Sequence, residues 1–269
     1  MKFPIVSVLM TAYNREDYIA QAIESVLIST LSNFELLIVD DQSKDKTVEI
    51  AESYAAIDKR IRVFVNEQNL GDYPNRNKAA SHATGKYIKY LDSDDMIYPH
   101  GLEVMVRSME TFPEAGYGLS SLPDTGNFYP ACISPKEAYF EHFFKGFGHF
   151  DRSPGSSIIR TEAFNKVGGF SGKRMIGDYE MWFKLSQEYD LVKFPRDLVW
   201  HRSHQKQESQ SDFARQYASL RKNVLEQALQ SEKCPLGKAE IMNVRKQLNQ
   251  RAQKQKMLKV ASKLGAFLK

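Results

Sequence analysis

Lys86-Tyr87-Ile88-Lys89-Tyr90-Leu91-Asp92-Ser93-Asp94-Asp95 reads as a short strand running straight into an acidic turn. Gly85 precedes it, and Tyr87, Ile88, Tyr90 and Leu91 are the aromatic, β-branched or apolar residues that suit a strand. Three carboxylates then fall within four residues. Carboxylates packed so closely repel one another unless something positive sits among them. A hard divalent cation with oxygen ligands is the natural partner. A strand-end loop is also where open α/β sheets hold ligands. Taken alone, the turn fits a solvated acidic surface loop as well as a metal site.

Working toward the N-terminus, strands alternate with helices. Residues 4–10 (PIVSVLM) form a mostly apolar run, as expected of a buried parallel strand. Residues 11–14 break it, with Asn14 placed to cap a helix whose apolar positions Ile19, Ala22, Ile23, Val26 and Leu27 keep helical spacing. Residues 34–39 (FELLIV) are a second strand ending in Asp40-Asp41-Gln42-Ser43, and Ser43 is the expected N-cap of a helix through Val48, Ala51 and Ala55. Residues 61–65 make a third strand. A loop with Gly71 follows, then a helix through Arg76, Ala79 and Ala80 that Gly85 is expected to end. This alternation predicts a parallel sheet with helices on both faces. The loops at 11–14, 40–43 and 92–95 then converge on one sheet edge and form one site. No GxGxxG follows the first strand and no GxxxxGK[ST] occurs, which argues against a dinucleotide fold and a P-loop.

Working toward the C-terminus, residues 99–111 read as a helix with Pro99 near its start, and 117–122 as a strand before a turn-rich stretch to 131. Ser134-Pro135-Lys136-Glu137 has the pattern of a capping box. Residues 139–150 hold Tyr139, Phe140, Phe143, Phe144, Phe147 and Phe150. A packed core is the favoured reading there, with an acceptor-facing aromatic wall as the alternative. A strand over 155–160 and a turn at Gly168-Gly169-Phe170 lead to a helix over 178–185. Met181, Trp182 and Leu185 lie on its buried face, and Asp178 sits in the first turn, where the helix dipole favours a carboxylate. Trp200-His201-Arg202-Ser203-His204 follows another short strand. A helix from about 208 to 231 ends at Cys234-Pro235-Leu236-Gly237. Beyond it Ile241, Val244, Leu248, Leu258, Ala261, Leu264 and Leu268 keep helical spacing among many Lys and Arg, like a basic amphipathic helix on an anionic membrane surface. A helix packed on the domain is the alternative.

The bulk properties agree with a single α/β domain plus an appendage: 269 residues, 42% hydrophobic. No apolar run reaches the roughly eighteen residues of a membrane span, and no secretory signal opens the chain, so a cytoplasmic address is expected. Cys132 and Cys234 have no metal or redox spacing. Residues 232–269 carry ten Lys or Arg against Glu232 and Glu240, a local net of +8. The whole chain is at +4, so the first 231 residues stand at −4. A mildly acidic body with a basic tail is not the footprint of a globular nucleic-acid binder.

Together these residues resemble a family 2 glycosyltransferase with the Rossmann-like, A-type nucleotide-sugar-binding fold over about residues 4 to 210. Residues 6–15 (VSVLMTAYNR) match the opening motif, and 35–43 (ELLIVDDQS) the second. Asn69-Leu70-Gly71, Arg76-Asn77, Gly85 to Ile88 and Asp92-Ser93-Asp94-Asp95 match the third. Gly168-Gly169-Phe170 with Asp178-Tyr179-Glu180-Met181-Trp182 resembles the acceptor-side motif. The resemblance implies a mixed, mainly parallel central sheet. A nucleotide-sugar half would occupy 1–98, an acceptor half 99–210, and a basic helical extension 211–269. It implies that Thr11, Ala12, Tyr13, Asp40 and Asp41, with Arg76, Asp92 and Ser93, contact the nucleotide; a carboxylate suits a uracil-type ring N–H and a guanidinium suits phosphate oxygens. It implies that Asp92, Asp94 and Asp95 hold Mn²⁺ or Mg²⁺, Asp94 most directly, with His204 (or His201) completing the shell. Asp178 would be the base that deprotonates the acceptor hydroxyl during an inverting displacement. The expected activity is transfer from a UDP- or dTDP-sugar to a hydroxyl of a surface polysaccharide or glycolipid, with peripheral attachment to the inner membrane face through the tail. Position 177 departs from the pattern: Gly stands where the family has an acid. That leaves open a catalytically inactive module that binds a sugar nucleotide or a protein partner. A sugar-nucleotide pyrophosphorylase shares the architecture, but its Gly-rich basic first loop is replaced here by Thr-Ala-Tyr-Asn.

Overall fold

The first two strands, β1 (Val6–Ala12) and β2 (Phe34–Asp40), carry apolar side chains on both faces, so only the middle of a covered sheet can hold them. A computed structural model describes residues 3–121, 128–204 and 217–267. In it β1 lies between β2 and β4 (Tyr87–Tyr90), parallel to both, and β3 (Ile61–Val65) takes the edge beside β2. The intervening helices α1 (Ile19–Leu27), α2 (Thr47–Ile57) and α3 (Asp72–Ser81) supply the crossovers. Strand alternation sorts the core. Val6, Val8, Met10, Leu36 and Ile38 face α1, and Leu9, Leu37 and Val39 face the other layer with α3.

The second half continues the same sheet. It runs β5 (Met96–Ile97), α4 (Gly101–Thr111), β6 (Tyr117–Ser120), β7 (Ala131–Ile133), α5 (Pro135–Phe140), β8 (Ser157–Arg160), α6 (Thr161–Lys166), α7 (Gly177–Ser186), β9 (Leu191–Phe194) and β10 (Val199–Trp200). The eight-stranded order is β3-β2-β1-β4-β8-β6-β9-β7. Four neighbour pairs are parallel and three antiparallel, so the sheet is mixed, with its parallel half N-terminal. β10 pairs with β5 in a separate ribbon, which brings the chain after Trp200 back over the acidic turn. The predicted capping box at Ser134 and Glu137 is present. Tyr139, Phe143 and Phe150 are buried with Phe183, the packed-core reading of that aromatic segment, while Phe140 stays 41% exposed.

Three predicted local roles are corrected. Asn14 does not cap α1, whose N-cap position is Tyr18. Asn14 has φ 53°, donates its N–H to Ser43 Oγ (2.8 Å) and accepts Lys44 N–H on Oδ1 (2.8 Å). Ser43 does not cap α2 either. Its N–H and hydroxyl both go to Asp40, and Asp45 Oδ1 holds Thr47 N–H instead (3.0 Å). Both polar residues are spent tying two strand-end loops together, which a local capping rule does not see. Gly85 does not end α3, because His82 takes the C-cap position. A Cβ at Gly85 would lie 2.6 Å from Ser7 N, so the missing side chain is what lets β4 close against β1.

α8 (Tyr217–Gln230) and α9 (Lys238–Phe267) pack on the α7 face. The predicted helix start near residue 208, and the turn-rich segment over 122–127, lie outside the described residues. In α9, Val244 is buried and Ile241 and Leu248 pack partly buried on the same core as Leu236. This first part of the predicted amphipathic face therefore belongs to the domain, a correction to its reading as membrane-facing. The side chains of Leu258, Ala261, Leu264 and Leu268 lie outside the described ones. Among the described residues no helix is long and apolar enough to cross a membrane.

Candidate active site

The acidic turn leaves β4 at the carboxyl edge of the sheet. Asp92, Asp94 and Asp95 each offer a carboxylate oxygen, and these ligand atoms all lie within 4.8 Å of one another. Hard oxygen donors at that spacing fit Mg²⁺ or Mn²⁺ and suit soft metals poorly. Each carboxylate also has a basic side chain against it, an arginine at Asp92 and Asp94 and a histidine at Asp95. Arg76 Nη2 donates to Asp92 Oδ1 (2.7 Å), Arg15 Nε and His204 Nε2 meet Asp94 Oδ2 (3.0 and 2.9 Å), and His201 Nδ1 meets Asp95 Oδ2 (2.7 Å). Arg202 N–H donates to Asp95 Oδ1 (3.0 Å) and its Nε to the Asp94 carbonyl (2.9 Å). Burial works against ionisation of Asp92, but Arg76, with His201 and Lys89 behind it, holds its carboxyl below the usual range. The hydrogen bond to Asp95 raises His201 above its ordinary value. His201 and His204 thus both reach the turn, on different carboxylates, and His204 is further held by stacking on Tyr18 (4.8 Å between ring centroids).

The predicted nucleotide residues gather beside this turn. Ser93 Oγ donates to the Thr11 carbonyl (2.9 Å), joining the β1 and β4 loops, and Ala12 is buried below them. Tyr13 is 46% exposed, a ring face open to a planar partner. Asp40 is buried and accepts the Ser43 N–H (2.8 Å). Asp41 is engaged differently. Its carboxylate accepts Leu70 N–H, Gly71 N–H and Asn66 Nδ2 (all 2.8 Å) and so shapes the loop ahead of α3. Arg76 is buried between Asp72 (Nε, 2.7 Å) and Asp92, yet its Nη1 is buried with no partner. A buried guanidinium with one idle donor fits a phosphate or base oxygen.

Asp178 occupies the first turn of α7, and its Oδ1 accepts Tyr179 N–H (2.7 Å). Burial pushes its carboxyl up to about 6 from 3.8, against the pull of the Tyr179 N–H, Tyr73 and the Arg76 charge. That is the environment of a proton acceptor working near neutral pH. Glu180 points elsewhere, to Lys173 Nζ (2.6 Å) and Ser171.

The Glycosyl transferase family 2 sequence model matches residues 7–168, which carry the β1, β2 and β4 turns. The chain belongs to glycosyl transferase family 2. It is 37% identical over 201 residues to EpsH of Bacillus subtilis, a putative glycosyltransferase, covering 72% of this chain and 54% of EpsH. It is 40% identical over 126 residues to TuaG of the same organism, a putative teichuronic acid biosynthesis glycosyltransferase, covering 45% of this chain and 50% of TuaG. The chain thus spans about half the length of these two relatives. Among solved structures, residues 1–349 of S. aureus TarS in complex with UDP-GlcNAc superpose with a TM-score of 0.67 at 20% identity, over 89% of this chain and 70% of that one. The mannosyltransferase PcManGT of Pyrobaculum calidifontis, in complex with GDP-Man and Mn²⁺, gives 0.65 at 15% identity, over 91% and 70%. At these identities the likeness is one of fold, the A-type architecture.

Four residues that matter to the site's geometry were not singled out in the sequence. Arg15 closes the opening family 2 motif and reaches Asp94 across 79 residues. Arg202 stands beside the histidines. Lys89, inside the acidic stretch, is fully buried, donates to the Tyr90 (2.5 Å) and Gly155 carbonyls, and is pushed down to about 7 by burial. Tyr73 is the fourth, and it explains Gly177. A Cβ at 177 would lie 2.8 Å from Tyr73 Cδ2, so the buried Tyr73 ring takes the room that the family's usual acid needs. Gly177→Ala is therefore expected to destabilise the chain by about 1–3 kcal/mol, read as a lower urea midpoint. An unchanged midpoint would mean that the ring moves aside freely.

Proposed function

We propose that the chain is an inverting, divalent-metal-dependent glycosyltransferase. It would move a sugar from a UDP- or dTDP-sugar to a hydroxyl of a surface polysaccharide or glycolipid acceptor. The observation that carries this reading is the trio Asp92, Asp94 and Asp95, with ligand atoms within 4.8 Å at the carboxyl end of β4. The idle Arg76 Nη1 and the raised Asp178 carboxyl support it. The nucleotide is held by residues of 1–98 and the acceptor by residues of 99–210, with 211–269 as the helical extension. Thr11, Ala12, Tyr13 and Asp40 bind base and ribose, and Arg76 with Ser93 orients the diphosphate. Asp92, Asp94 and Asp95, with a histidine from 201 or 204, hold Mn²⁺ or Mg²⁺. Held there, such an ion would supply Lewis-acid neutralisation of charge on the departing nucleoside diphosphate. Asp178 takes the hydroxyl proton as the acceptor oxygen bonds to the anomeric carbon and the C–O bond to the diphosphate breaks. The relatives' names and the nucleotide sugars bound to TarS and PcManGT are in keeping with this.

Calorimetric titration of UDP with Mn²⁺ and then with a chelator tests the reading. Metal-dependent binding is expected; no binding in either condition, repeated with dTDP and GDP, rejects it. Metal-dependent UDP binding without turnover of any sugar nucleotide would instead favour an inactive binding module. We further assign the basic stretch 251–269 to an anionic membrane surface on the cytoplasmic side. A chain ending at residue 250 keeps Ile241, Val244 and Leu248 on the core. It should fold normally and lose binding to anionic liposomes, and equal binding by both chains rejects the assignment.

A further inference from the structure

Beside the acidic turn lies a cavity of about 240 Å³ whose lining residues, His201 apart, have none of the roles above. Its wall includes Arg152, just ahead of β8, and Arg196, just after β9, together with Ser153 and Ser156. His201 stands between it and the metal trio. One ring nitrogen meets Asp95 at 2.7 Å, and the other is 3.5 Å from Ser156 Oγ. The helix that carries Asp178 also fixes this cavity. Trp182 lies four residues on from Asp178, hence on the same face of α7. Its Nε1 donates to the Arg152 carbonyl (2.6 Å).

The charge arrangement is unusual. Arg152 Nε donates to the Ser120 carbonyl (2.9 Å), and among the described residues no carboxylate lies within ion-pair distance of its guanidinium. Arg196 is exposed and has neither a hydrogen bond nor an ion pair among the described residues. Asp151 is committed to Arg221 (2.5 Å), which leaves the exposed Asp197 as the only other acid of the cavity wall among the described residues. Burial and the nearby Arg196 charge both pull Arg152 below its usual pKa, so the two guanidiniums work against each other as they stand. A pair of forked donors with hydroxyls beside them matches a phosphate or a carboxylate. The volume is below the roughly 300–1,000 Å³ of a pocket that encloses a drug-sized ligand. It suits one charged group and its carrier unit, not an oligosaccharide.

We propose that this cavity is an acceptor subsite for an anionic group, a phosphate or carboxylate borne on a sugar or polyol, clamped by Arg152 and Arg196. The assignment to the acceptor rests on the donor reading given above, since it places the anion on the far side of His201 from the metal trio.

The full chain is titrated calorimetrically with glycerol 3-phosphate and with glucuronate, using glycerol and glucose as neutral controls. Each titration is run alone and again with UDP and Mg²⁺ saturating. At least one anion is expected to bind in both conditions while the neutral controls do not, and which anion binds tells a phosphate-bearing from a uronic-acid acceptor. Arg196→Glu, a change at an exposed side chain, should weaken that binding about tenfold or more and leave UDP affinity within about twofold. Arg152→Gln should do the same with a larger effect on stability. Absence of anion binding, survival of binding in Arg196→Glu, or displacement of the anion by UDP overturns the subsite, and UDP binding remains as the separate readout of the donor site. Anion binding that depends on Arg196 in a chain that fails to bind any nucleotide overturns the acceptor assignment together with the donor reading.

Discussion

Asp178→Asn removes sugar transfer and leaves metal-dependent UDP binding unchanged. The substitution keeps the size of the side chain and an oxygen for the Tyr179 N–H, so the first turn of α7 stays in place. It loses the ability to accept a proton. Positioned general bases contribute roughly 10²–10⁴-fold to a rate, and a loss of that order in single-turnover transfer is expected. The pH profile of the unmodified chain carries the same signature. A carboxyl raised to about 6 is protonated below that pH, so transfer should fall as pH drops through about 6 and level off above it. Stability runs the other way. The folded chain binds this proton more tightly than the unfolded one, so Asp178 favours folding at low pH, and that contribution is lost as pH rises from 3.8 through about 6. Asp178→Asn should therefore stabilise the chain at pH 7 by on the order of 1–2 kcal/mol after allowance for partial solvation, read as a higher urea midpoint, with less change near pH 4. Full transfer by the variant would put the base elsewhere. Glu180 would then be examined first, although Lys173 and Ser171 already occupy its carboxylate.

Asp94→Asn abolishes the metal-dependent part of donor affinity. In the structure Asp94 Oδ2 is shared by Arg15 and His204; an asparagine keeps one accepting oxygen but loses the negative charge and the second oxygen ligand. Losing even an outer-shell partner costs about 10–100-fold in metal affinity, so loss of a direct oxygen ligand should reach at least the upper end of that range. UDP titrated into the variant with Mn²⁺ should match the unmodified chain measured with chelator. Equal affinity of the variant and the unmodified chain in Mn²⁺ would remove the trio from the donor site. The circular dichroism spectrum serves as the control for folding, because Arg15 loses its carboxylate partner beside the turn and keeps only the Tyr13 and Asn14 carbonyls.

What the amino-acid sequence determined by itself is local. β1 and β2 are legible because their apolar runs suit only a doubly covered strand. The acidic turn is legible because three carboxylates within four residues demand a positive partner, and Asp178 because a helix begins beside it. The ordered motifs were enough to identify the family, and with it the mixed sheet. The tertiary structure decided what each polar group spends itself on. Asn14 and Ser43 have the composition of caps but bind one another's loops, since a partner about thirty residues away in sequence outcompetes the local N–H once β1 and β2 lie side by side. Asp41 resembles Asp40 in sequence, yet it is consumed by the Leu70 and Gly71 amides. Arg15, His201 and Arg202 meet the acidic turn across 79 to 107 residues, and no spacing rule reaches that far. Gly177 looks like a defect until the Tyr73 ring is seen in its place. Arg152 and Arg196 are two unremarkable basic residues until β8 and β9 carry them to one cavity. Periodicity records which face of an element is buried, because burial acts on each side chain as its own strand or helix packs. Pairing of charges and donors depends on the path of the whole chain, and only the folded sheet edge brings these partners within reach.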